Sequence, residues 1–170
     1  MKLSEKLAKA INDQINKELF SEYFYLSMAA YLERVNLPGF ANFFIVQAQE
    51  ERFHAMKFFH YLNERGAKVA LQPIEGPKTE FTSALEIFQL AYKHELFVSD
   101  SINKLMDIAL ADHDHASSGL LQWYVSEQVE EEANMQDYVN RLERIGEESY
   151  GILMLDKELA MRVFTPPVTV

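Results

Sequence analysis

The sequence predicts an all-α fold: a four-helix bundle with a long crossover between its second and third helices and a short fifth helix. Apolar residues recur at helical spacing through four long segments of the 170-residue chain. Only six glycines and five prolines are present, which leaves room for long helices. Two connections between the long segments are short, whereas one is long enough to run the length of a bundle.

The first two helices are predicted over about residues 4–34 and 39–65. Ser4 suits the N-cap position, because its hydroxyl can accept a hydrogen bond from a free backbone N–H group. The sequence NLPG at residues 36–39 interrupts the helical pattern, and Gly66 is typical of the residue that follows a helix. Since the break is short, we expect the two helices to be antiparallel neighbours.

The third helix is predicted over about residues 82–111, where Ser83 and Glu86 have the spacing of a capping box. The tight turn ADHDH separates it from a fourth helix that ends near Ile145. Between the second and third helices, residues 66–80 are irregular and contain two prolines. Fifteen extended residues span up to ~50 Å, and a helix of ~28 residues is ~42 Å long, so this segment can cross the bundle.

We expect one domain over residues 1–170, with the bundle at about 4–145 and a fifth helix at about 149–162, ended by Pro166-Pro167. The fifth helix is short but rich in apolar side chains, for which we expect contacts between subunits. These side chains are Ile152, Leu153, Leu155 and Leu159.

The composition excludes several classes of function. Asp and Glu outnumber Lys and Arg by 26 to 16, a formal net charge of −10, which suits cations and disfavours nucleic acid. General solubility accounts for the charge equally well. No cysteine is present, which excludes disulfides and Cys-ligated zinc or iron sites.

No segment approaches the ~20 apolar residues of a membrane span or resembles a signal peptide, so we expect a cytoplasmic protein with no membrane partner.

Each long helix has one glutamate near its midpoint, on a row of apolar residues at seven-residue spacing. These glutamates are Glu18, Glu51, Glu95 and Glu131. The four midpoints of a bundle share one layer, so the carboxylates are expected to converge inside, with His54 and Gln128 beside them.

Four buried carboxylates repel one another and are costly without compensation. One solution is that burial and repulsion raise the pKa values, so that some carboxylates stay protonated, and metal is the other. Two divalent cations balance four negative charges, and oxygen ligands with one imidazole favour iron or manganese over structural zinc. A lone buried glutamate is usually paired, and a single Glu-x-x-His spacing occurs by chance. Four glutamates in register predict a dinuclear metal site.

The sequence resembles the prokaryotic non-haem ferritins of the ferritin-like di-iron four-helix-bundle family over essentially its whole length. The matching motifs are NDQINKELFSEYFYLSMA, QAQEERFHAMKF, AYKHE, LQWYVSEQVEEE and LDKELA. The resemblance implies a ferroxidase centre with two irons. It assigns Glu18, Glu51 and His54 to the first iron and Glu51, Glu95 and Glu131 to the second, with Gln128 and Tyr25 adjacent.

A third iron site is also implied by the resemblance. Its residues match Glu50, Glu127 and Glu130, with Glu131 shared. A solvated helix face is the alternative interpretation of the first three glutamates.

The sequence departs from the symmetric di-iron pattern in one place and from the bacterioferritins in another. The fourth helix has Gln128 three residues before Glu131, where that pattern has Glu-x-x-His, so the second iron has only oxygen-type ligands. Weaker binding there suits a site that passes oxidised iron to a store. Arg52 stands where bacterioferritins have a haem-ligating Met, so no haem is expected.

The function implied by the resemblance is iron storage with ferroxidase activity, in which O₂ or H₂O₂ oxidises Fe(II) and Fe(III) mineral is stored. The protein would form a homo-oligomer, a hollow twenty-four-subunit octahedral shell. One alternative is an iron-detoxifying or peroxide-consuming di-iron protein with little storage. Another is a non-catalytic metal-binding bundle.

Three further features of the sequence contain potential metal ligands outside these sites. Residues 112–115, Asp-His-Asp-His, resemble a metal cluster, but a turn with Asp114 as N-cap explains them more simply. In ferritins this corner lies near pores through which iron enters, which is a second hypothesis for it. His60 is expected to be exposed, and His94 is expected at the surface or in a subunit contact.

Overall fold

The computed structural model describes residues 2–146 and 149–166. They form five helices: α1 Glu5–Arg34, α2 Pro38–Glu64, α3 Ala84–Ala111, α4 His115–Ile145 and α5 Tyr150–Leu159. The described ranges contain no β-strand, and none of their helices is long and apolar enough to cross a membrane. This confirms the four-helix bundle with a long crossover and a short fifth helix. α5 ends three residues earlier than predicted, and Pro167 lies outside the described residues.

Three helices begin with side-chain caps at the predicted positions. The Oγ atom of Ser4 accepts a hydrogen bond from the backbone N–H of Leu7 at 3.0 Å. The Oγ atom of Ser83 accepts from Glu86 at 3.0 Å. The capping box is not reciprocal as predicted, because the Glu86 carboxylate accepts from the backbone N–H and hydroxyl of Thr82, one residue earlier.

The helices pack as two antiparallel hairpins, α1 with α2 and α3 with α4, and α1 also packs against α3. Rings connect α2 to α4: Phe58 and Tyr124 are stacked with centroids 4.0 Å apart and an interplanar angle of 9°. The crossover is fastened to α1 by Asn12, whose amide donates to the Lys68 carbonyl and accepts from the Ala70 N–H group. The long connection is therefore held along the bundle rather than free in solvent.

The apolar core is divided into two clusters, one on each side of the bundle's midpoint. The first, at the end covered by α5, includes Tyr25, Leu32, Phe44, Phe88 and Met135. The second, at the opposite end, includes Leu7, Ile11, Phe58, Ile102 and Leu121. Each long helix contributes to both clusters, and the segment between its two contributions holds its buried polar residues.

The fifth helix is docked on the N-terminal end of α2. The Asp156 carboxylate accepts hydrogen bonds from the backbone N–H groups of Gly39 and Phe40 at 2.8 and 3.0 Å, which caps α2 from a distant part of the chain. Asn42 donates to the carbonyls of Leu159 and Arg162.

The apolar side chains of α5 are mostly buried within the chain. Ile152, Leu155 and Leu159 pack into the bundle, whereas Leu153 is 51% exposed. The prediction that all four need another subunit is therefore wrong, and only Leu153 fits it.

Gly39→Ala should displace α5. A Cβ atom at position 39 would lie 1.7 Å from the carbonyl oxygen of Asp156, far inside van der Waals contact. Asp156→Ala removes the cap without the clash and should cost about 1 kcal/mol. We expect faster amide hydrogen exchange in α5 and a lower urea midpoint, with Gly39→Ala the more severe change.

Gly119→Ala is the matched control. Nothing lies within 4 Å of a Cβ at that position in α4, and alanine is the better helix former, so this variant should gain about 0.5–1 kcal/mol. Unchanged hydrogen exchange in α5 of Gly39→Ala would contradict the role of this contact.

Candidate metal centre

A layer of polar side chains crosses the middle of the bundle, between the two apolar clusters. It holds one glutamate from each long helix, and each is at most 8% exposed. They are Glu18 of α1, Glu51 of α2, Glu95 of α3 and Glu131 of α4. No Lys or Arg within the described ranges forms an ion pair with any of them. The layer therefore needs protons or added cations to compensate its charge.

Three side chains of this layer, two glutamates and a histidine, form a compact group. One ligand atom from each of Glu18, Glu51 and His54 can be chosen so that all three lie within 4.8 Å of one another. The helical spacing of three residues brings His54 and Glu51 to the same face, with Nδ1 and Oε2 3.6 Å apart. Oε2 of Glu18 and Oε2 of Glu51 are buried without a hydrogen-bond partner. Two unpaired carboxylate oxygens beside an imidazole suit a cation.

The other two glutamates are held by neutral donors. Tyr25 donates its hydroxyl hydrogen to Oε1 of Glu95, and Gln128 donates to Oε2 of Glu95 at 3.0 Å. Gln47 donates to Oε2 of Glu131 at 2.9 Å. Within the described ranges, neither glutamate belongs to the compact group. Binding of a cation between them and Glu51 would require their oxygens to move closer together.

The protonation states follow from burial. Burial raises the pKa of Glu18 to about 7 and that of Glu131 to about 8, and the neighbouring Glu95 carboxylate adds to both increases. Burial and the surrounding glutamates raise the pKa of Glu51 well above its usual value. Burial lowers the pKa of His54 to about 4. A neutral imidazole has a free lone pair, so His54 is available as a metal ligand at neutral pH.

The residues expected at a third site do not belong to the compact group, although Glu127 lies next to it. Glu50 accepts a hydrogen bond from the guanidinium of Arg162 at 2.6 Å. Oε2 of Glu127 lies 4.0 Å from Nε2 of His54, and Glu130 is exposed. Burial and repulsion by Glu130 and Glu50 raise the pKa of Glu127. A cation held by these glutamates would have to compete with Arg162.

The Asp-His-Asp-His turn forms a cap rather than a cluster. Asp114 accepts from the backbone N–H of Ser117 at 3.0 Å and pairs with Arg65 at 2.7 Å. His113 and His115 are exposed.

His94 of α3 is half-buried beside α1 and lines an open cavity at the protein surface. Its Nε2 is 2.7 Å from Oγ of Ser21, and its ring meets that of Tyr25 edge-on at 5.9 Å. A half-buried side chain that lines a surface cavity agrees with the expected surface position of His94, and its role in a subunit contact stays a prediction. His60 is exposed, as expected.

Comparison with known proteins gives the same picture. Residues 8–145 match the family model described as a ferritin-like domain. A "bacterial non-heme ferritin" of Staphylococcus aureus is 43% identical over 162 residues, covering 95% of this chain and 98% of the relative. The solved structure of an open pore ferritin from the archaeon Archaeoglobus fulgidus has a TM-score of 0.93 at 47% identity, covering 95% of this chain and 98% of that one. A "humanized archaeal ferritin" has a TM-score of 0.96 at 48% identity, covering 97% of this chain and 100% of that one.

The fold and the polar layer define an α-helical bundle with a buried carboxylate–histidine centre, the class that the sequence predicted. The chain belongs to the ferritin family, and its similarity to non-haem members extends over almost its full length.

Sequence reasoning missed the residues that hold the glutamates in place. Gln14 and Gln47 donate to Glu18 and Glu131, and Arg162 pairs with Glu50. Gln14 could have been found, because it lies four residues before Glu18 on the same helix face. Arg162 could not, since it is 112 residues from its partner.

The metal-free protein should lose stability as pH rises from about 6.5 to 8. The pKa values of Glu18 and Glu131 lie above their usual 4.5, so the folded state keeps protons that the unfolded state has released. The lowered pKa of His54 affects the free energy of unfolding only below pH 6.5, the usual pKa of histidine, and this lies outside the window. Glu131→Gln should raise the urea midpoint at pH 8, by the equivalent of roughly 2 kcal/mol, and flatten its dependence on pH.

Glu143→Gln, at an exposed position of the same helix, is the control and should leave the pH profile unchanged. Equal profiles for wild type and Glu131→Gln would show that the buried carboxylate carries no such cost.

Proposed function

We propose that this protein stores iron, oxidising Fe(II) at a dinuclear centre within each subunit and depositing Fe(III) mineral in a hollow shell. The observation that carries the proposal is the compact group of Glu18, Glu51 and His54, with its two unpaired buried carboxylate oxygens. Membership of the ferritin family and similarity to bacterial non-haem ferritins support storage of iron.

In this proposal Glu51 bridges the two ferrous ions. Glu18 and His54 complete the first position, and Glu95 and Glu131 complete the second, with Gln128 within reach. The negative charge of four carboxylates balances two Fe(II) ions, so the substrate itself removes the repulsion in the layer. His54 is the only nitrogen ligand, and the all-oxygen second position holds its ion more weakly. That difference favours release of oxidised iron into the store.

The chemistry needs little from the protein beyond binding and positioning. Two Fe(II) ions supply the two electrons that reduce O₂ to peroxide, whereas H₂O₂ as oxidant accepts two electrons to give water. Tyr25 keeps Glu95 in place beside the reacting ions through its hydroxyl hydrogen bond. The apolar clusters on both sides limit access of water to the centre.

We propose that the chain is one domain and that copies of it assemble into the shell, with twenty-four subunits as in the resemblance. Exposed apolar side chains on several faces support burial between subunits. They include Tyr23, Phe97, Leu153 and Met154. We further propose a cytoplasmic location.

O₂ consumption on adding Fe(II) to the metal-free protein tests the function. Wild type should consume about one O₂ for every two Fe(II) ions at low loading. Glu51→Ala removes the bridging carboxylate, so we expect at least a tenfold loss of initial rate. Iron retained per shell after repeated additions separates storage from simple detoxification.

Glu64→Ala, an exposed position of the same helix, is the matched control and should oxidise iron like wild type. Consumption of O₂ by wild type no faster than by buffer would rule out the ferroxidase assignment. Binding of Fe(II) without such consumption would leave a non-catalytic metal-binding bundle.

We also propose a third cation position formed by Glu50, Glu127 and Glu130, with Glu131 shared. Arg162→Gln should tighten binding there by a factor of about five, because an ion pair of this exposure is worth ~1 kcal/mol. Isothermal titration with Fe(II) under anaerobic conditions measures the affinity of the third ion.

The matched control for this change is Arg141→Gln, which breaks the Arg141–Glu158 pair between α4 and α5 and should leave the third ion unaffected. A third affinity that is equal in wild type and Arg162→Gln would exclude competition by the guanidinium.

A further inference from the structure

A continuous chain of hydrogen bonds runs from the side of the bundle to the first metal position. Nζ of Lys17 lies 2.5 Å from Oγ of Ser101. Oγ of Ser101 lies 2.6 Å from Oε1 of Gln14, and Nε2 of Gln14 lies 2.9 Å from Oε1 of Glu18. Gln14 is 1% exposed and Ser101 is 5% exposed, so water does not replace their contacts. The chain links α1 to α3 and ends on a glutamate of the compact group.

The two ends of this chain set the direction of its bonds, because the Lys17 ammonium can only donate and an ionised Glu18 carboxylate can only accept. An ammonium group has only donors, so Lys17 must donate to the oxygen of Ser101. The single hydroxyl hydrogen of Ser101 is then free for Gln14, whose carbonyl oxygen accepts it. The amide of Gln14 is thereby oriented with its NH₂ group towards Glu18. In the reverse amide orientation, the Gln14 oxygen would face the oxygen of an ionised Glu18, and the hydroxyl hydrogen of Ser101 would lose its acceptor.

The hydrogen bond from Gln14 leaves the two oxygens of Glu18 in different environments. Oε1 is occupied by the amide, whereas Oε2 is buried and has no hydrogen-bond partner. A cation in the compact group therefore meets one free oxygen of Glu18, already oriented. Ligation through a single oxygen leaves coordination positions on the ion open for other groups.

We propose that Gln14 is a positioning residue for the first metal position, and that Ser101 and Lys17 set its amide orientation. The proposal rests on the proposed metal-binding function of the centre. Gln14 acts through Glu18 and does not touch the ion itself. Hydrogen-bond partners of metal ligands typically change affinity by about 10–100-fold when they are removed, which sets the expected size of the effect.

Binding of Co(II), with its visible spectrum as readout, tests this role without iron oxidation. Gln14→Met keeps approximate side-chain volume and removes the donor. We expect a loss of about tenfold in affinity at the first position, with a changed Co(II) spectrum because Glu18 can then ligate through both oxygens. Affinity at the second position should not change. Ser101→Ala should give a smaller loss in the same direction.

Two variants separate positioning from packing. Ser101→Thr keeps the hydroxyl, and a surface cavity of about 110 Å³ adjoins the residue, so the Co(II) affinity and spectrum of wild type should be retained. Lys17→Met should weaken the first position, whereas Lys104→Met should not. Lys104 lines the same cavity but pairs with Asp100, outside the chain of hydrogen bonds.

The outcomes distinguish this proposal from the proposed function. If Gln14→Met binds Co(II) with the affinity and spectrum of wild type, the positioning role is wrong while the metal centre stands. If Gln14→Met does not fold, the variants Ser101→Ala and Ser101→Thr provide the test. Equal Co(II) binding by Ser101→Ala and wild type then overturns the proposal. If wild type binds no Co(II), the metal centre and the positioning role fail together.

Discussion

The mutual repulsion of four buried carboxylates is the constraint on which the rest of this structure depends. Each long helix places one glutamate in a single layer with at most 8% exposure. Such a layer is unfavourable unless something outside the fold, a proton or a metal ion, enters it. The division of the core into two clusters follows from this, because apolar packing has to stop at the layer and begin again beyond it.

The protein holds these glutamates with neutral groups rather than with cations of its own. Amides of Gln14, Gln47 and Gln128 and the hydroxyl of Tyr25 orient carboxylate oxygens without cancelling their charge. An arginine in the same place would form a stable internal ion pair and compete with incoming metal. Such an ion pair does occur next to the polar layer, where Arg162 pairs with Glu50. The charge of the centre is thus left free for ions from solution, while the peripheral charge is partly compensated.

Much of the fold could be predicted because helical periodicity is a local property. The midpoint glutamates stood out because each interrupts an otherwise apolar row, and the spacing of three residues placed His54 beside Glu51. The contacts of Gln14 with Ser101 and of His94 with Ser21 could not be predicted, because they depend on how α1 and α3 are rotated against each other. Arg162 lies beyond the end of its helix, where periodicity carries no information. The cap residue Ser83 was predicted correctly, and only the return bond of the Glu86 carboxylate goes to Thr82 instead of Ser83.

The cap that Asp156 places on α2 has a consequence for how the chain folds. The two partners are separated by 117 residues, so the bond has an unusually long range for a helix cap. During synthesis α2 emerges early, yet the two N–H groups at its start stay unpaired until α5 has been made. Contacts of such separation close late, since the intervening loop must first lose its entropy. The start of α2 therefore lacks this cap until α5 has been made, and docking of α5 joins the first hairpin to a distant part of the chain.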